Sequence, residues 1–165
     1  MMTMLASDDG ISDAEFRKVL GHYCSGLVIV AGLNHGAPAG LTCQSFFSVS
    51  LSPPLVCFCV ARTSSSYPAL RDSGAFCINV LSAEQQALCA QFAKSGGDKW
   101  RGAEWELGAS GSPRLSGALA WIDCVLESEF DAGDHHLVLG RVIALEAREG
   151  APLLYFRGAH PTLGA

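Results

Sequence analysis

Two apolar patterns divide the early part of the chain. Leu27-Val-Ile-Val-Ala31 is apolar without interruption, as in a strand buried on both faces. The turn Asn34-His-Gly-Ala-Pro38 follows, then Gly40-Leu-Thr-Cys-Gln-Ser-Phe-Phe-Ser-Val-Ser-Leu-Ser-Pro-Pro54, which mixes hydroxyl, amide and large apolar side chains without a single charge. The pair predicts a hairpin. If residues 40 to 51 are extended throughout, Leu41, Cys43, Ser45, Phe47, Val49 and Leu51 share one face and form the core wall. Thr42, Gln44, Phe46, Ser48 and Ser50 share the other, where neutral groups that donate and accept suit an uncharged polar ring system better than bulk water. Pro53-Pro54 ends that strand, and Leu55 to Ala61 begins a third.

Helical periodicity appears in three places. Ser12-Asp-Ala-Glu15 has capping-box spacing, and Phe16, Val19, Leu20 and Tyr23 recur at helical intervals, predicting a helix from about Asp13 to His22. Ser64-Ser-Ser-Tyr-Pro-Ala-Leu-Arg71 reads as a helix start, with Ser65 or Ser66 as N-cap and Pro68 in the first turn. Ser82-Ala-Glu-Gln85 repeats the capping-box spacing and opens a helix through Phe92, broken by Gly96-Gly97. Phe76 to Leu81 predicts a fourth strand. Ala118 to Glu129 and His135 to Glu146 predict a second hairpin around Asp131-Ala-Gly-Asp134, and Leu153 to Arg157 a last short strand. Residues 94 to 116, rich in Gly, Ser and charge, predict a mobile loop, although Trp100 and Trp105 require packing somewhere. Many antiparallel strands with peripheral helices predict a mainly β chain with some α, its sheet closed into a barrel to remove edges.

Composition narrows the class. A chain of 165 residues supports one core and one domain, 1–165, with residues 1–11 expected to be flexible. Charged residues make up 16%, against a usual share of about 25%, so some apolar surface is expected to face a second subunit. A net charge of -5 with scattered Lys and Arg argues against nucleic acid. Apolar runs such as Leu55 to Ala61 are far shorter than the roughly 20 residues of a membrane span. Met1 to Asp9 lacks the parts of a secretion signal, so the cytoplasm is the expected location. The seven cysteines lie mostly in apolar runs and read as reduced, buried hydrophobes. Cys57-Phe-Cys59 has no accompanying Cys-x-x-Cys or paired His, and no metal site is expected.

Common nucleotide and hydrolase signatures are missing: there is no Gly-x-Gly-x-x-Gly, no Gly-x-x-x-x-Gly-Lys and no Gly-x-Ser-x-Gly. Arg62-Thr-Ser-Ser-Ser66 instead joins a strand to a helix start, combining one cation, four hydroxyls and free amides in an anion site. The same residues also suit an ordinary serine-rich capping loop. A neutral polar platform beside an anion site is what a mononucleotide needs. His135 and His136 must point to opposite sides of a strand, so they cannot ligate one metal; one is expected to be functional and the other solvated.

In order along the chain, Gly26-Leu-Val-Ile-Val30, Gly40 to Phe46, Ser48 to Pro54, Phe76 to Leu81, Gln91-Phe-Ala93, Gly133-Asp-His135, Leu139-Gly-Arg-Val142 and Pro152-Leu-Leu-Tyr-Phe156 form a specific set. With them the chain resembles the short-chain flavin reductases, the reductase components of two-component flavin-dependent monooxygenases. The resemblance implies an FMN-binding split barrel, usually a homodimer, that binds FMN or FAD, oxidises NADH or NADPH and serves a partner monooxygenase. It also implies roles residue by residue. Thr42, Cys43, Gln44 and Ser45 would line the flavin ring, with the Gly40 backbone nearby and Cys57 and Cys59 flanking it. Arg62, Thr63, Ser64 and Ser65 would hold the phosphate. Phe92, Ala93 and Lys94 would close over the ribityl side, His135 would stand by the nicotinamide, and the tail around Arg157 and His160 would help cover it. Hydride transfer draws its chemistry from the two cofactors, so these are positioning roles with no protein acid or base among them. Two alternatives remain: a reductase of the same fold that passes electrons to a corrinoid or iron complex, and a non-enzymatic flavin-binding module. The latter leaves Gly133-Asp-His135 without a use.

Overall fold

The structure, a computed structural model, describes residues 10–164. Residues 1–9, most of the stretch expected to be flexible, lie outside the described residues. The elements are α1 (Asp13–Leu20), β1 (Ser25–Gly26), β2 (Val28–Asn34), β3 (Ala37–Cys43), β4 (Phe47–Leu51), β5 (Pro54–Ala61), α2 (Tyr67–Ser73), β6 (Ala75–Val80), a 3-10 turn (Ala83–Gln85), α3 (Gln86–Ala93), β7 (Trp105–Leu107), β8 (Pro113–Leu115), β9 (Ala120–Ala132), β10 (His135–Ala147) and β11 (Leu154–Tyr155). Seven strands form one antiparallel sheet in the order β3-β2-β6-β9-β10-β5-β4, with small two-stranded pairs β1-β11 and β7-β8 beside it.

The uninterrupted apolar run around β2 has its physical reason in two cores. Val28 and Val30 face the barrel interior with Leu41, Phe58, Phe76 and Val138. Leu27, Ile29 and Ala31 face a second core with Leu81, Cys89, Phe92 and Leu115, beneath α3 and β8. Burying such side chains contributes roughly 1.5–3 kcal/mol each, so the pattern is strongly specified. The β2–β3 hairpin turns at His35 and Gly36, both at positive φ (48° and 79°), the backbone that matches the twist of paired strands.

Residues 40 to 51 do not form one strand. β3 ends at Cys43, residues 44–46 leave the ladder, and β4 begins at Phe47. Leu41 and Cys43 are core, as parity predicts, but the break resets the phase. Phe46 packs on the barrel core, whereas Phe47, Val49 and Leu51 are 52%, 46% and 95% exposed. The break is also where the barrel is split. β3 does not pair with β5 through backbone; instead the Ser45 hydroxyl accepts from Cys59 N (2.9 Å) and donates to Cys59 O (3.0 Å). One side chain thus replaces a rung of the ladder and satisfies both backbone groups of Cys59.

Other boundaries shift for local reasons. The capping box of Ser12 and Glu15 forms, but α1 stops at Leu20 and buries none of its residues. α2 takes Ser66 as its N-terminal flank without a side-chain cap, and Ser64 supplies the hydroxyl that accepts from Tyr67 N. Ser82 to Gln85 opens with a tight 3-10 turn before α3. The last strand shrinks to two residues, paired with Ser25 and Gly26.

The region expected to be a mobile loop, 94 to 116, carries the β7–β8 hairpin docked on the sheet. Trp100 meets Phe92 edge-on at 4.8 Å and Trp105 at 5.8 Å between ring centroids. The buried Asn79 amide donates to Pro113 O and accepts from Leu115 N (2.7 Å). Arg114 donates to the fully buried Asp123 carboxylate from Nε (2.8 Å) and Nη2 (2.6 Å), and Ser110 donates to its other oxygen. Burial pushes the Asp123 carboxyl up, but these donors outweigh it and leave the group below its ordinary value.

Candidate active site

A cleft of about 430 Å³ opens at the split of the barrel, within the range of small-molecule sites. Its platform is the end of β3 and the chain after it, Thr42, Cys43, Gln44 and Ser45, facing Cys59, Val60 and Ala61 on β5. The hydroxyls there are already committed to the fold. Thr42 Oγ1 donates to Cys89 O at 2.6 Å, holding α3 against the platform, and Ser45 makes the rung to Cys59. At Gly40 a Cβ would lie 2.7 Å from the Phe92 ring, so glycine permits the close approach of β3 to α3. Gly40 therefore shapes the cleft from behind.

The far end of the cleft is lined by Thr63, Ser64 and Ser65, with Phe92, Ala93, Ser95 and Lys99 across from them. Lys99 is the cation of this end. Its Nζ donates to Phe92 O (3.0 Å), Ser66 Oγ (3.1 Å) and Gly40 O (3.5 Å), and burial lowers its pKa from the ordinary lysine value. His135 begins β10 on the cleft wall, its Nδ1 2.7 Å from Asp134 Oδ1, a contact that holds the Asp134 carboxyl below its usual value. With Nδ1 so engaged, Nε2 is the nitrogen left for a ligand.

Several expected residues stand elsewhere. Arg62 extends from the cleft to Asp131, at 2.8 Å, so its charge is spent on the β9–β10 hairpin. Lys94 lines a neighbouring hollow rather than the cleft. Cys57 is 1% exposed and paired between Phe47 and Leu139, behind the platform. Arg157 lines a separate cavity under α1, and His160 Nδ1 contacts Leu154 O at 2.8 Å, its ring against Tyr155. His136 is not solvated: its side chain is 16% exposed, its ring lies 5.7 Å from that of Tyr67, and Nδ1 is 3.2 Å from Asp131. Sequence reasoning missed Lys99 and Ser95. No short-range signal marks Lys99, because its position depends on how Trp100 docks. Burial pushes the Cys43 thiol up, and burial with neighbouring thiols takes Cys57 to about 11, so neither offers a thiolate nucleophile at neutral pH.

A cleft that is neutral at one end and hydroxyl-rich and cationic at the other fits a flat polar ring carrying a phosphorylated side chain. On a split antiparallel barrel, that combination defines the class of flavin-binding reductases. The chain belongs to the flavin reductase like domain family, whose model matches residues 20–164. It is 48% identical over 153 residues to the reductase subunit HsaB of a flavin-dependent monooxygenase from Rhodococcus jostii, covering 92% of this chain and 78% of that protein. It is 38% identical over 150 residues to the FMN reductase (NADH) SmoA of Agrobacterium fabrum, covering 91% and 86%. Among solved structures, nitrilotriacetate monooxygenase component B from Mycobacterium thermoresistibile superposes with a TM-score of 0.88 at 41% identity, covering 92% of this chain and 86% of that one.

Proposed function

We propose that this protein is an NAD(P)H-dependent flavin reductase that takes FMN or FAD as substrate and supplies the reduced flavin to a partner flavin-dependent monooxygenase. The observation that carries the reading is the polarity of the cleft, neutral from Thr42 to Ser45 and cationic at Lys99, with His135 on its wall. When bound, the flavin supplies the two-electron chemistry. The platform backbone and Gln44 would orient its ring, while Thr63, Ser64, Ser65 and Lys99 would hold its phosphate. Phe92 and Ala93 would close the ribityl side. His135, its Nδ1 held by Asp134, would position the nicotinamide with Nε2. The cleft's part would be to bind and orient both groups, and no side chain would need to move a proton in the transferring step.

Exposed apolar side chains support a homodimer. Phe47, Val49 and Leu51 lie on the edge strand β4, and Ile143 and Leu145 on β10 are 48% and 70% exposed. An open apolar edge of this kind calls for a covering partner. All seven cysteines are free, which supports the reducing cytoplasm as its location. Among the described residues no helix is long and apolar enough to cross a membrane.

The test is NADH and NADPH oxidation by purified protein with FMN, FAD or riboflavin as the sole acceptor. Turnover with free flavin is expected. Oxidation only when a corrinoid or ferric complex is added would reassign the acceptor, and none with any pairing would leave a flavin-binding module.

A further inference from the structure

Arg62 sits between Ala61 and Thr63, both of which line the cleft, yet its own side chain turns to the β9–β10 hairpin. The reversal between those strands is a two-residue turn, Gly133 and Asp134, with Gly133 at φ 62°. Arg62 grips that turn on both flanks. Its guanidinium meets Asp131 Oδ1 at 2.8 Å before the turn, and its backbone N–H donates to Asp134 O at 3.0 Å after it. Asp131 is held from the inner side as well. His136 Nδ1 lies 3.2 Å from the same oxygen, and the His136 ring packs on Tyr67 of α2, whose hydroxyl donates to Glu129. An exposed ion pair adds little to global stability. What this one fixes is the placement of the turn, and the turn carries the contact that orients His135, Asp134 Oδ1 at 2.7 Å from Nδ1. An ionised carboxylate only accepts, so Nδ1 carries the hydrogen and Nε2 presents its lone pair.

We propose that Arg62 is a positioning residue for the nicotinamide, acting through Asp134 and His135, and not a ligand of the flavin phosphate; the inference rests on the reductase reading above. A side chain at a strand end keeps its aim only if the turn beside it is held. The Asp134 side chain is 94% exposed, so packing does not hold it, and the grip of Arg62 does. Charge points the same way. A guanidinium already paired with a carboxylate would have to give up Asp131 to reach an anion in the cleft. Lys99, whose three acceptors are all neutral oxygens, keeps its charge for one. One short loop thus serves two groups: Arg62 steadies the wall that carries His135, and Thr63, Ser64 and Ser65 line the hydroxyl-rich end.

The test begins on the protein without cofactors. With 15N-labelled histidine at about pH 8.5, above the ordinary histidine range, the His135 ring nitrogens should show one tautomer, with hydrogen on Nδ1. In Arg62→Met and in Asp131→Ala they should move toward the averaged shifts of a free imidazole, while the thermal midpoint holds. In turnover, Arg62→Met should raise the KM for NADH about fivefold, within the range of one exposed ion pair, with kcat and FMN affinity changed by less than about twofold. Arg62→Lys should recover part of the loss. Added to His135→Ala, Arg62→Met should change the KM no further, because it acts through that ring. Arg141 makes a similar exposed pair with Glu127, at 2.7 Å, farther along the same hairpin, and Arg141→Met should move neither readout. Ring shifts that stay fixed in Arg62→Met, KM losses that add, or FMN affinity that falls while riboflavin affinity does not would each overturn the proposal. A tautomer change in a protein that oxidises no NADH would instead sink the reductase reading and leave Arg62 as the residue that orients His135.

Discussion

The two ends of the cleft are built in opposite ways. The platform end is one short stretch, Thr42 to Ser45, whose backbone leaves the sheet because the barrel splits there. The hydroxyl-rich, cationic end is assembled from three places: the loop after β5, the end of α3, and Lys99 on the approach to the β7–β8 hairpin. A continuous segment carries its chemistry in its own residue order. An assembled one depends on distant packing, here Trp100 on Phe92 and the Arg114–Asp123 pair that fastens β8 to β9.

The contrast predicts that damage far from the cleft reaches the cationic end first. Asp123→Ala leaves Arg114 half-paired in a mostly buried position and should cost about 3–5 kcal/mol, measured by denaturant unfolding. Because the folded Asp123 carboxyl lies below its ordinary value, its contribution is present above the unfolded carboxylate range and is lost as pH falls through the folded value. Asp123→Asn should therefore lose stability at neutral pH and show a flatter acid limb than wild type. An acid limb of wild-type steepness would break the argument.

Lys99→Met should weaken FMN binding by roughly 10- to 100-fold, the range of one charge-assisted contact, while riboflavin affinity stays within about twofold. Equal loss for both ligands would move the phosphate elsewhere. Since burial lowers the Lys99 pKa, its charge is lost at a lower pH than that of a free lysine. FMN affinity should then decline as pH rises, before the ordinary lysine range is reached, and riboflavin affinity should not follow it.

Ser45→Ala tests the platform. Removing the hydroxyl strands the N–H and C=O of Cys59 and should cost about 1–2 kcal/mol, seen as a lower thermal midpoint, with Ser45→Thr recovering part of it. His135→Ala is the smallest expected change: KM for the nicotinamide should rise about fivefold, near the net value of one hydrogen bond, with little change in flavin affinity. Parallel losses in both would make His135 a structural residue.

The difference between the two ends also governs what could be read in advance. The strand at residues 27–31, the hairpin turn at His35-Gly36, the capping box at Ser12 and the platform residues are all local signals, carried by periodicity or by one turn of backbone. Parity failed at residue 44 because it assumes continuous extension, and only the closing of the barrel shows where β3 must leave the sheet. Arg62 was the nearest cation to the serine loop in sequence, yet Asp131 takes it, while Lys99, more than thirty residues downstream of that loop, reaches the site.

Residue order alone determined the double-sided burial of β2, the neutral chemistry of Thr42 to Ser45 and the family, since each rests on near neighbours along the chain. Tertiary structure alone decided which cation lines the hydroxyl-rich end, that Ser45 bridges the split by its side chain, and that Arg17, Lys18 and Arg157 converge on one hollow. Those outcomes join segments far apart in sequence, where the energy of packing and paired charge, rather than local propensity, selects the partner.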